Sequence, residues 1–208
     1  MKKKTLFVCL AVLNCMVVVY VVCTHKQREL RFSRTNVAIN DSPFDIGYGS
    51  DTAKLSVYMF VDYNCGYCRQ FLLLNLPYIQ QKYIDNGLVR FVIKPIVLSE
   101  NKDMMMAIQL AECMYQNGDF DDINELLLSE PSAVYSEEFN DLIKDILNEN
   151  HVLAECLLSS NFENIKQNNI AFNGTYSNGT PIFVIGKHLY EGYRNLNDFC
   201  KVLDYELN

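Results

Sequence analysis

The chain has few histidines and no excess of positive charge. It contains only 3 histidines, His25, His151 and His188, and no two of them have the spacing of metal ligands. It carries 18 Lys and Arg against 25 Asp and Glu, a net charge of −7, and no basic patch is visible. These absences argue against a histidine-based metal site and against nucleic acid as a partner.

The remaining composition indicates a folded protein of moderate size. Half of the 208 residues are hydrophobic and 21% are charged, so the chain can build a packed core and wholesale disorder is not expected. There is no internal repeat. This length predicts one medium domain together with an additional segment.

The first 23 residues differ from the rest. Lysines occupy positions 2 to 4, and an uncharged run follows from Thr5 to Cys23. As a helix this run would be about 28 Å long, close to the ~30 Å hydrocarbon thickness of a bilayer. We predict a transmembrane anchor or a cleaved signal over residues 1–23, although small residues suited to signal cleavage are missing. Lysines before the run and an acidic body after it predict a body outside the cytoplasm.

The cysteines divide into two groups. Of the 8 cysteines, Cys9, Cys15 and Cys23 lie in the apolar run. The others are Cys65, Cys68, Cys113, Cys156 and Cys200. In an oxidising compartment, five thiols allow two disulfides and leave one thiol over.

Cys65 and Cys68 form a C-x-x-C pair, which by itself fits three structures. It can be a redox centre, half of a metal site, or two core thiols that happen to be close. A metal site would need two further ligands, and the histidines do not provide them.

Hydrophobic periodicity and turn residues predict an alternating order of strands and helices. After a linker and N-terminal extension over residues 24–53, with one short strand near Val37 to Ile39, a main domain spans 54–208. The domain begins with a buried strand over 54–63 and a helix after the C-x-x-C, which Pro77 should kink and Asn86-Gly87 should end. A strand over 88–95 and several helices between 101 and 172 follow. A β-hairpin from Pro181 to Tyr193 and an amphipathic helix close the domain.

Four segments, in this order and spacing, resemble the DsbA-type thiol–disulfide oxidoreductases of the bacterial cell envelope. The resemblance covers roughly Asp51 to Glu206. It implies an α/β fold, the thioredoxin-like fold, with an inserted α-helical subdomain at about 100–172. The segments are "FVDYNCGYCRQF", "LAECMYQNGDF", "LAECLLSSNFENI" and "NGTPIFVIGKHLYEGY".

The resemblance implies roles for the C-x-x-C residues. Cys65 would begin a helix, where unpaired N–H groups and the helix dipole stabilise a thiolate, and Asn64 could cap that helix. The pKa of a thiol in such motifs falls from about 8.5 to between about 3.5 and 7.5. Cys65 is therefore the expected nucleophile and Cys68 the resolving thiol, while Gly66 and Tyr67 would tune the active site.

Thr180 and Pro181 are the substrate-binding residues that the resemblance implies. The matching proline of this fold has a cis peptide bond and faces the active-site cysteines. Thr180 would offer its backbone N–H and C=O to an extended substrate peptide. The alternative is a trans proline that opens an edge strand.

Two further positions carry expectations. Relatives commonly have a buried glutamate where this chain has Met59, so the proton route to the thiols would need Asp62, Lys94 or water instead. Cys113 and Cys156 would form a structural disulfide, with two free buried thiols as the alternative. Cys200 would then remain a buried thiol.

The expected function is extracytoplasmic thiol–disulfide exchange. We expect oxidation of thiols in unfolded or partly folded secreted proteins, with a membrane redox partner that restores the disulfide, and no cofactor. The protein would lie in the periplasm or on the extracytoplasmic face of the bacterial inner membrane, through a single-pass anchor or after signal cleavage. A disulfide isomerase or reductase is the alternative, since Gly-Tyr between the cysteines and Thr before the proline are also the pattern of the disulfide isomerases of the envelope. However, the roughly 30 residues between the anchor and the first strand are too few for such an enzyme's dimerisation domain. A metal-carrying or chaperone module is a more distant alternative.

Overall fold

The computed structural model describes residues 12–13, 15–22, 32–35, 37–99 and 101–208. Residues 12, 13 and 15–22 are helical, and the rest of the predicted anchor or signal, residues 1–23, lies outside the described residues. Within the described part of the chain, no helix combines the length and the apolar character that a membrane crossing requires.

A mixed sheet of six strands forms the centre of the described structure, in the order β1-β6-β5-β3-β4-β2. β3 and β4 pair in parallel, and the other neighbouring strands pair antiparallel. The parallel strands β3 and β4 are mostly apolar because both of their faces are covered. The strands are β1 Phe32–Arg34, β2 Ile46–Tyr48, β3 Leu55–Val61, β4 Val89–Pro95, β5 Ile182–Ile185 and β6 His188–Glu191.

Helices cover both faces of the sheet and form the insertion after β4. The α-helices are α1 Gly66–Gln70, α2 Leu76–Ile79, α3 Lys102–Asn117, α4 Asp121–Ser129, α5 Glu137–Glu149, α6 His151–Ser160, α7 Glu163–Gly174 and α8 Leu196–Glu206. π-helical turns span Phe71–Asn75 and Gln80–Ile84, and a 3₁₀ turn spans Pro131–Tyr135.

The helical run after the C-x-x-C continues past Pro77 instead of breaking. Pro77 falls in the first turn of α2, directly after a π-helical turn, where a missing N–H is tolerated. The run ends at Ile84, and Gly87 in the turn that follows has a φ of 67°, the left-handed conformation that glycine adopts readily.

The extension before β3 takes part in the sheet, and the short strand predicted near Val37 to Ile39 does not form. β1 pairs with β6 and β2 pairs with β4. Ile46 in β2 is fully buried in the main core, whereas Ile39 packs against the core without pairing. Ile39 therefore packs its apolar side chain against the core, although residues 37–39 form no strand.

Two hydrophobic clusters lie on opposite faces of the sheet. Met59 and Cys68 belong to the larger cluster, which continues into the helical insertion. Phe60, the neighbour of Met59 in β3, belongs to the smaller one, as the alternation of side chains along a strand requires.

A disulfide joins the helices of the insertion. Cys113 in α3 and Cys156 in α6 are bonded, with their Cα atoms 5.9 Å apart. Cys200 in α8 is a buried free thiol.

Candidate active site

Cys65 lies at the start of α1, between the end of β3 and the first helical turn. It is the N-cap residue, with φ −79° and ψ 112°, and its carbonyl accepts the first helical hydrogen bonds, from the N–H of Cys68 at 3.0 Å and of Arg69 at 3.2 Å. The prediction that Asn64 caps this helix is wrong. No side chain caps it, and the Asn64 amide points instead to the Tyr135 hydroxyl, 3.4 Å away.

The cis-proline loop lies against the nucleophile. The Thr180–Pro181 peptide bond is cis, and the Cys65 thiol donates to the Thr180 carbonyl oxygen at 3.3 Å. Residues 115 positions apart in the chain are thus brought together. Cys65, Cys68, Thr180 and Pro181 form one cluster, while the Cys113–Cys156 disulfide lies in the insertion.

The two thiols have opposite electrostatic environments. Burial raises the pKa of Cys65, but hydrogen bonds from Thr180 and from the backbone N–H groups of Cys68 and Tyr67 outweigh it, so its pKa is lowered. Cys68 is fully buried, and burial raises its pKa well above the usual range of a thiol. A half-buried thiol with a lowered pKa beside a buried thiol with a raised one is the arrangement that a nucleophile and a resolving thiol need.

Gly66 and Tyr67 leave the nucleophile open on one side. No atom lies within 4 Å of where a side chain on Gly66 would begin. Tyr67 is 61% exposed, and its ring centre lies 5.6 Å from that of Tyr193, which follows β6. Tyr193 was assigned no role from the sequence, although it lies in the hairpin segment that carried the resemblance.

The proton route is not supplied by Lys94. Lys94 pairs in register with Phe60, so its side chain lies on the sheet face opposite to Met59 and Cys68. Its ammonium is buried and bonds to the Asp45 carboxylate at 2.5 Å and to the Asn40 carbonyl at 2.7 Å. Lys94 is thus half of a buried ion pair.

Asp62 is closer to the cysteines. Its carbonyl accepts a hydrogen bond from the Cys65 N–H at 2.9 Å, and its carboxylate accepts one from the Asn64 N–H at the same distance. Partial burial raises the pKa of Asp62. Its side chain therefore caps the turn before Cys65.

A second buried acid was missed in the sequence. Glu112, in α3, is 2% exposed and accepts a hydrogen bond from the Asn164 amide at 2.8 Å. Burial raises the pKa of Glu112 to about 8. Glu112 directly precedes Cys113 in the sequence, and the helical pattern does not predict that its side chain faces inward.

Tyr135 was also missed, and it links the insertion to the active site. Its hydroxyl accepts hydrogen bonds from the amide of Asn64 at 3.4 Å and from that of Asn101 at 2.9 Å. Asn64 directly precedes Cys65. The 3₁₀ turn of the insertion is therefore one hydrogen bond away from the residue that precedes Cys65.

The described residues contain no group of three or more His, Cys, Asp or Glu side chains that could hold a metal ion. His188 is hydrogen-bonded to Glu206, with 2.7 Å between Nδ1 and Oε1.

Comparisons with known proteins agree with this geometry. A family model described as "Thioredoxin" matches residues 41–205. A search of curated proteins found no significant match.

Several solved structures have a similar fold. α-DsbA1 of Wolbachia pipientis is 20% identical with a TM-score of 0.65, and the match covers 81% of this chain and 94% of that one. BdbD from Bacillus subtilis is 17% identical with a TM-score of 0.65 (84% and 99% covered). The catalytic domain of Proteus mirabilis ScsC is 19% identical with a TM-score of 0.62 (88% and 96% covered). The predicted thioredoxin-like fold with a helical insertion is confirmed.

Proposed function

Because the chain belongs to the thioredoxin family, we propose that it is an extracytoplasmic thiol–disulfide oxidoreductase that oxidises paired thiols of other proteins through Cys65 and Cys68. One observation carries this proposal. The Cys65 thiol, whose pKa is lowered, contacts Thr180 beside a cis proline, and the buried Cys68 follows one helical turn later.

The reaction begins with Cys65 and Cys68 joined as a disulfide. A substrate thiolate attacks the Cys65 sulfur, so a mixed disulfide forms and the electron pair of the broken bond goes to Cys68. A second substrate thiolate then attacks the substrate sulfur of the mixed disulfide. The substrate leaves with a disulfide, oxidised by two electrons, and the protein keeps two reduced cysteines.

The contrast between the two pKa values favours this direction. Cys65 leaves in the second step, and a sulfur with a lowered pKa leaves faster. Cys68 takes up a proton when it is released, because burial strongly disfavours its thiolate. The lowered pKa of Cys65 stabilises the reduced protein, and a stable reduced form makes the disulfide a stronger oxidant.

The substrate peptide would bind beside Thr180 and Pro181. Thr180 is half-buried, and its carbonyl oxygen lies 3.3 Å from the Cys65 sulfur. An extended segment that contains the reacting cysteine can pair there with the backbone of the chain. Gly66 and Tyr67 would shape the opposite side of this opening.

The compartment follows from the cysteines and the N-terminal segment. A structural disulfide such as Cys113–Cys156 persists in an oxidising environment. The lysines and apolar run over residues 1–23 fit an anchor or a cleaved signal. We therefore propose the periplasm, or the extracytoplasmic face of the bacterial inner membrane, and a membrane redox partner that reoxidises the cysteines.

The direct test is oxidation of a reduced, unfolded model protein such as ribonuclease. The oxidised chain should restore ribonuclease activity with one disulfide transferred per chain, and the Cys65→Ser variant should restore none. If the chain instead reshuffles a wrongly paired ribonuclease but does not oxidise the reduced one, the isomerase alternative replaces this proposal.

A further inference from the structure

The resolving thiol changes its protonation state inside an apolar core. Cys68 is fully buried in the larger hydrophobic cluster, and Met59, which stands where an acid was expected, is fully buried in the same cluster. Burial raises the pKa of Cys68 well above the usual range of a thiol. The sulfur must therefore gain a proton when the disulfide with Cys65 opens, and must lose that proton when the disulfide forms again.

Tyr63 brings a hydroxyl group into this apolar cluster. It follows β3, two residues before Cys65, and its side chain is fully buried. Its carbonyl accepts a hydrogen bond from the Arg69 guanidinium at 2.8 Å, whereas its hydroxyl has no hydrogen-bond partner among the described residues. Buried polar groups are nearly always hydrogen-bonded, so a buried hydroxyl without a partner points to a role other than stability.

The Tyr63 hydroxyl lies within electrostatic reach of both Cys68 and the buried Glu112. Burial is the main cause that raises the pKa of Tyr63 well above the usual range of a tyrosine. The charges of Tyr48, Glu112 and Cys68 raise it further. Because Coulomb interactions weaken with distance, these groups lie near the hydroxyl. Tyr63 is thus close to the thiol that needs a proton and to an acid that can hold one.

Glu112 holds a proton at neutral pH and can release it. Burial raises the pKa of its carboxyl group to about 8, and the charge of Asp45 acts in the same direction. The Asn164 amide, which donates to the carboxyl group at 2.8 Å, and the Lys94 ammonium lower this pKa. The amide and the ammonium therefore stabilise the carboxylate that remains after the proton has left.

The partners of Glu112 connect it to the far face of the sheet. The Asn164 amide also contacts the Asp45 carboxylate at 3.4 Å, and Asp45 is paired with Lys94 at 2.5 Å. Asn164 and Lys94 line a cavity of about 440 Å³ between the N-terminal extension and α7. A polar cavity of this size admits water. Solvent can therefore reach the groups that bond to Glu112 without passing the active-site cysteines.

We propose that Tyr63 and Glu112 form the internal proton route of Cys68, in place of an acid at position 59. When a thiolate attacks the Cys65 sulfur, the disulfide breaks and its electron pair goes to Cys68. The Tyr63 hydroxyl gives its proton to Cys68 and receives the proton of Glu112. Cys68 is then a neutral thiol, Tyr63 is unchanged and Glu112 is a carboxylate, which takes its next proton from water. Reoxidation of the cysteines runs the same transfers backwards.

This inference rests on the proposed function only in that Cys65 and Cys68 exchange a disulfide, and it does not depend on the direction of the exchange. The test measures how fast dithiothreitol opens the disulfide in the full chain. Its second thiol prevents the mixed disulfide from reverting. Samples are quenched with acid and alkylated, and mass spectrometry of the peptide that carries both cysteines gives the opened fraction. Each rate is divided by the concentration of dithiothreitol thiolate, so that the titration of the reagent does not contribute.

Tyr63→Phe removes the hydroxyl and Glu112→Gln removes the acid. Well below pH 8, each should slow the opening about tenfold, less than the roughly 10²–10⁴-fold effect of a typical general acid, because a sulfur can also leave as a thiolate. The double variant should be no slower than either single variant, since the two groups act in series. Above about pH 8 all rates should converge, because Glu112 of the wild type has then lost its proton.

Tyr83→Phe is the matched control. Tyr83 is a buried tyrosine of the same cluster, and its hydroxyl donates to the Asp204 carboxylate at 2.8 Å. This variant should react at the wild-type rate at every pH. Asp62→Asn tests the other acid near the cysteines. A pH-dependent loss in Asp62→Asn without one in Tyr63→Phe would assign the proton to Asp62 and overturn the inference.

Two other results would also overturn it. One is a wild-type rate in both Tyr63→Phe and Glu112→Gln. The other is a loss that is equal at every pH and adds up in the double variant, since that is the behaviour of a merely structural role. Failure of the proposed oxidase function looks different, because the ribonuclease assay would then fail while the pH-dependent differences with dithiothreitol persist.

Discussion

The Thr180 hydroxyl is expected to stabilise the Cys65 thiolate, and Thr180→Val tests this directly. Valine keeps the branched shape and the backbone carbonyl that Cys65 contacts at 3.3 Å. It removes the hydrogen bond from Thr180, the largest of the effects that lower the pKa of Cys65.

The magnitude follows from the worth of a hydrogen bond to a charged group, about 1.5–3 kcal/mol. Cys65 is only half-buried, so water replaces part of the lost bond, and we take about 1.4 kcal/mol. This raises the pKa of Cys65 by about one unit. The disulfide should become less oxidising by about 30 mV, since a less stable thiolate makes the reduced form less stable.

The pKa can be followed through the ultraviolet absorbance of the thiolate as pH is varied, with Cys68→Ser in the background to leave one titrating thiol in the site. Thr52→Val serves as the control, because Thr52 lies on an exposed turn before β3. An unchanged pKa in Thr180→Val would refute the assigned role of the hydroxyl, and an equal shift in Thr52→Val would point to a general effect of the substitution.

Three further predictions concern other parts of the molecule. With a disulfide-bonded substrate protein, reduced Cys68→Ser should accumulate a mixed disulfide, because Cys65 attacks the substrate disulfide, one substrate thiolate leaves, and no second thiol is present to release Cys65. The adduct is visible on non-reducing gels and lost with reductant; its absence would contradict the resolving role. Cys113→Ser should lower the free energy of unfolding by about 4 kcal/mol, because the disulfide closes a loop of 43 residues. Urea denaturation without reductant measures this free energy. An unchanged free energy of unfolding would show that the disulfide does not constrain the unfolded chain. The pKa of Glu112 is raised to about 8 in the folded state. Between about pH 4.5 and 8, Glu112 therefore binds more protons in the folded than in the unfolded state. Its contribution to the free energy of unfolding falls as pH rises through this window. Glu112→Gln should therefore gain stability relative to wild type at pH 8 compared with pH 5.5, and a difference independent of pH would contradict the assigned burial of a neutral carboxyl.

The strands and helices of the main domain could be predicted because local patterns and tertiary packing agree there. Ser136 is the N-cap residue of α5, a position that serine favours, and its side chain accepts from the Phe139 N–H at 3.1 Å. The turn at Gly186, with φ 59°, joins β5 and β6 as the hairpin pattern required.

The edges of the sheet could not be predicted, since pairing with distant strands determines them. β1 is three residues long and pairs with β6 more than 150 residues later. Such short strands have too few residues for an alternating pattern to be recognised. The strand expected near Val37 does not form, because residues 37–39 pair with no strand of the described sheet.

Within the candidate site, the residue types were readable from the sequence but their contacts were not. The C-x-x-C and the Thr-Pro lie in recognisable segments. In contrast, the contact of Asn64 with Tyr135, and the burial of Lys94 beside Asp45 on the far face of the sheet, depend on how the insertion and the extension pack. Glu112 faces inward for the same reason.

The reduction potential of the Cys65–Cys68 pair against glutathione tests the central claim most directly. Equilibration over a range of glutathione ratios, followed by alkylation of the free thiols, gives the fraction of oxidised chain. We predict a value near −120 mV, that of the strong oxidant DsbA, because a stabilised Cys65 thiolate favours the reduced form. A value near −270 mV, that of thioredoxin, would contradict it and would make the chain a reductant.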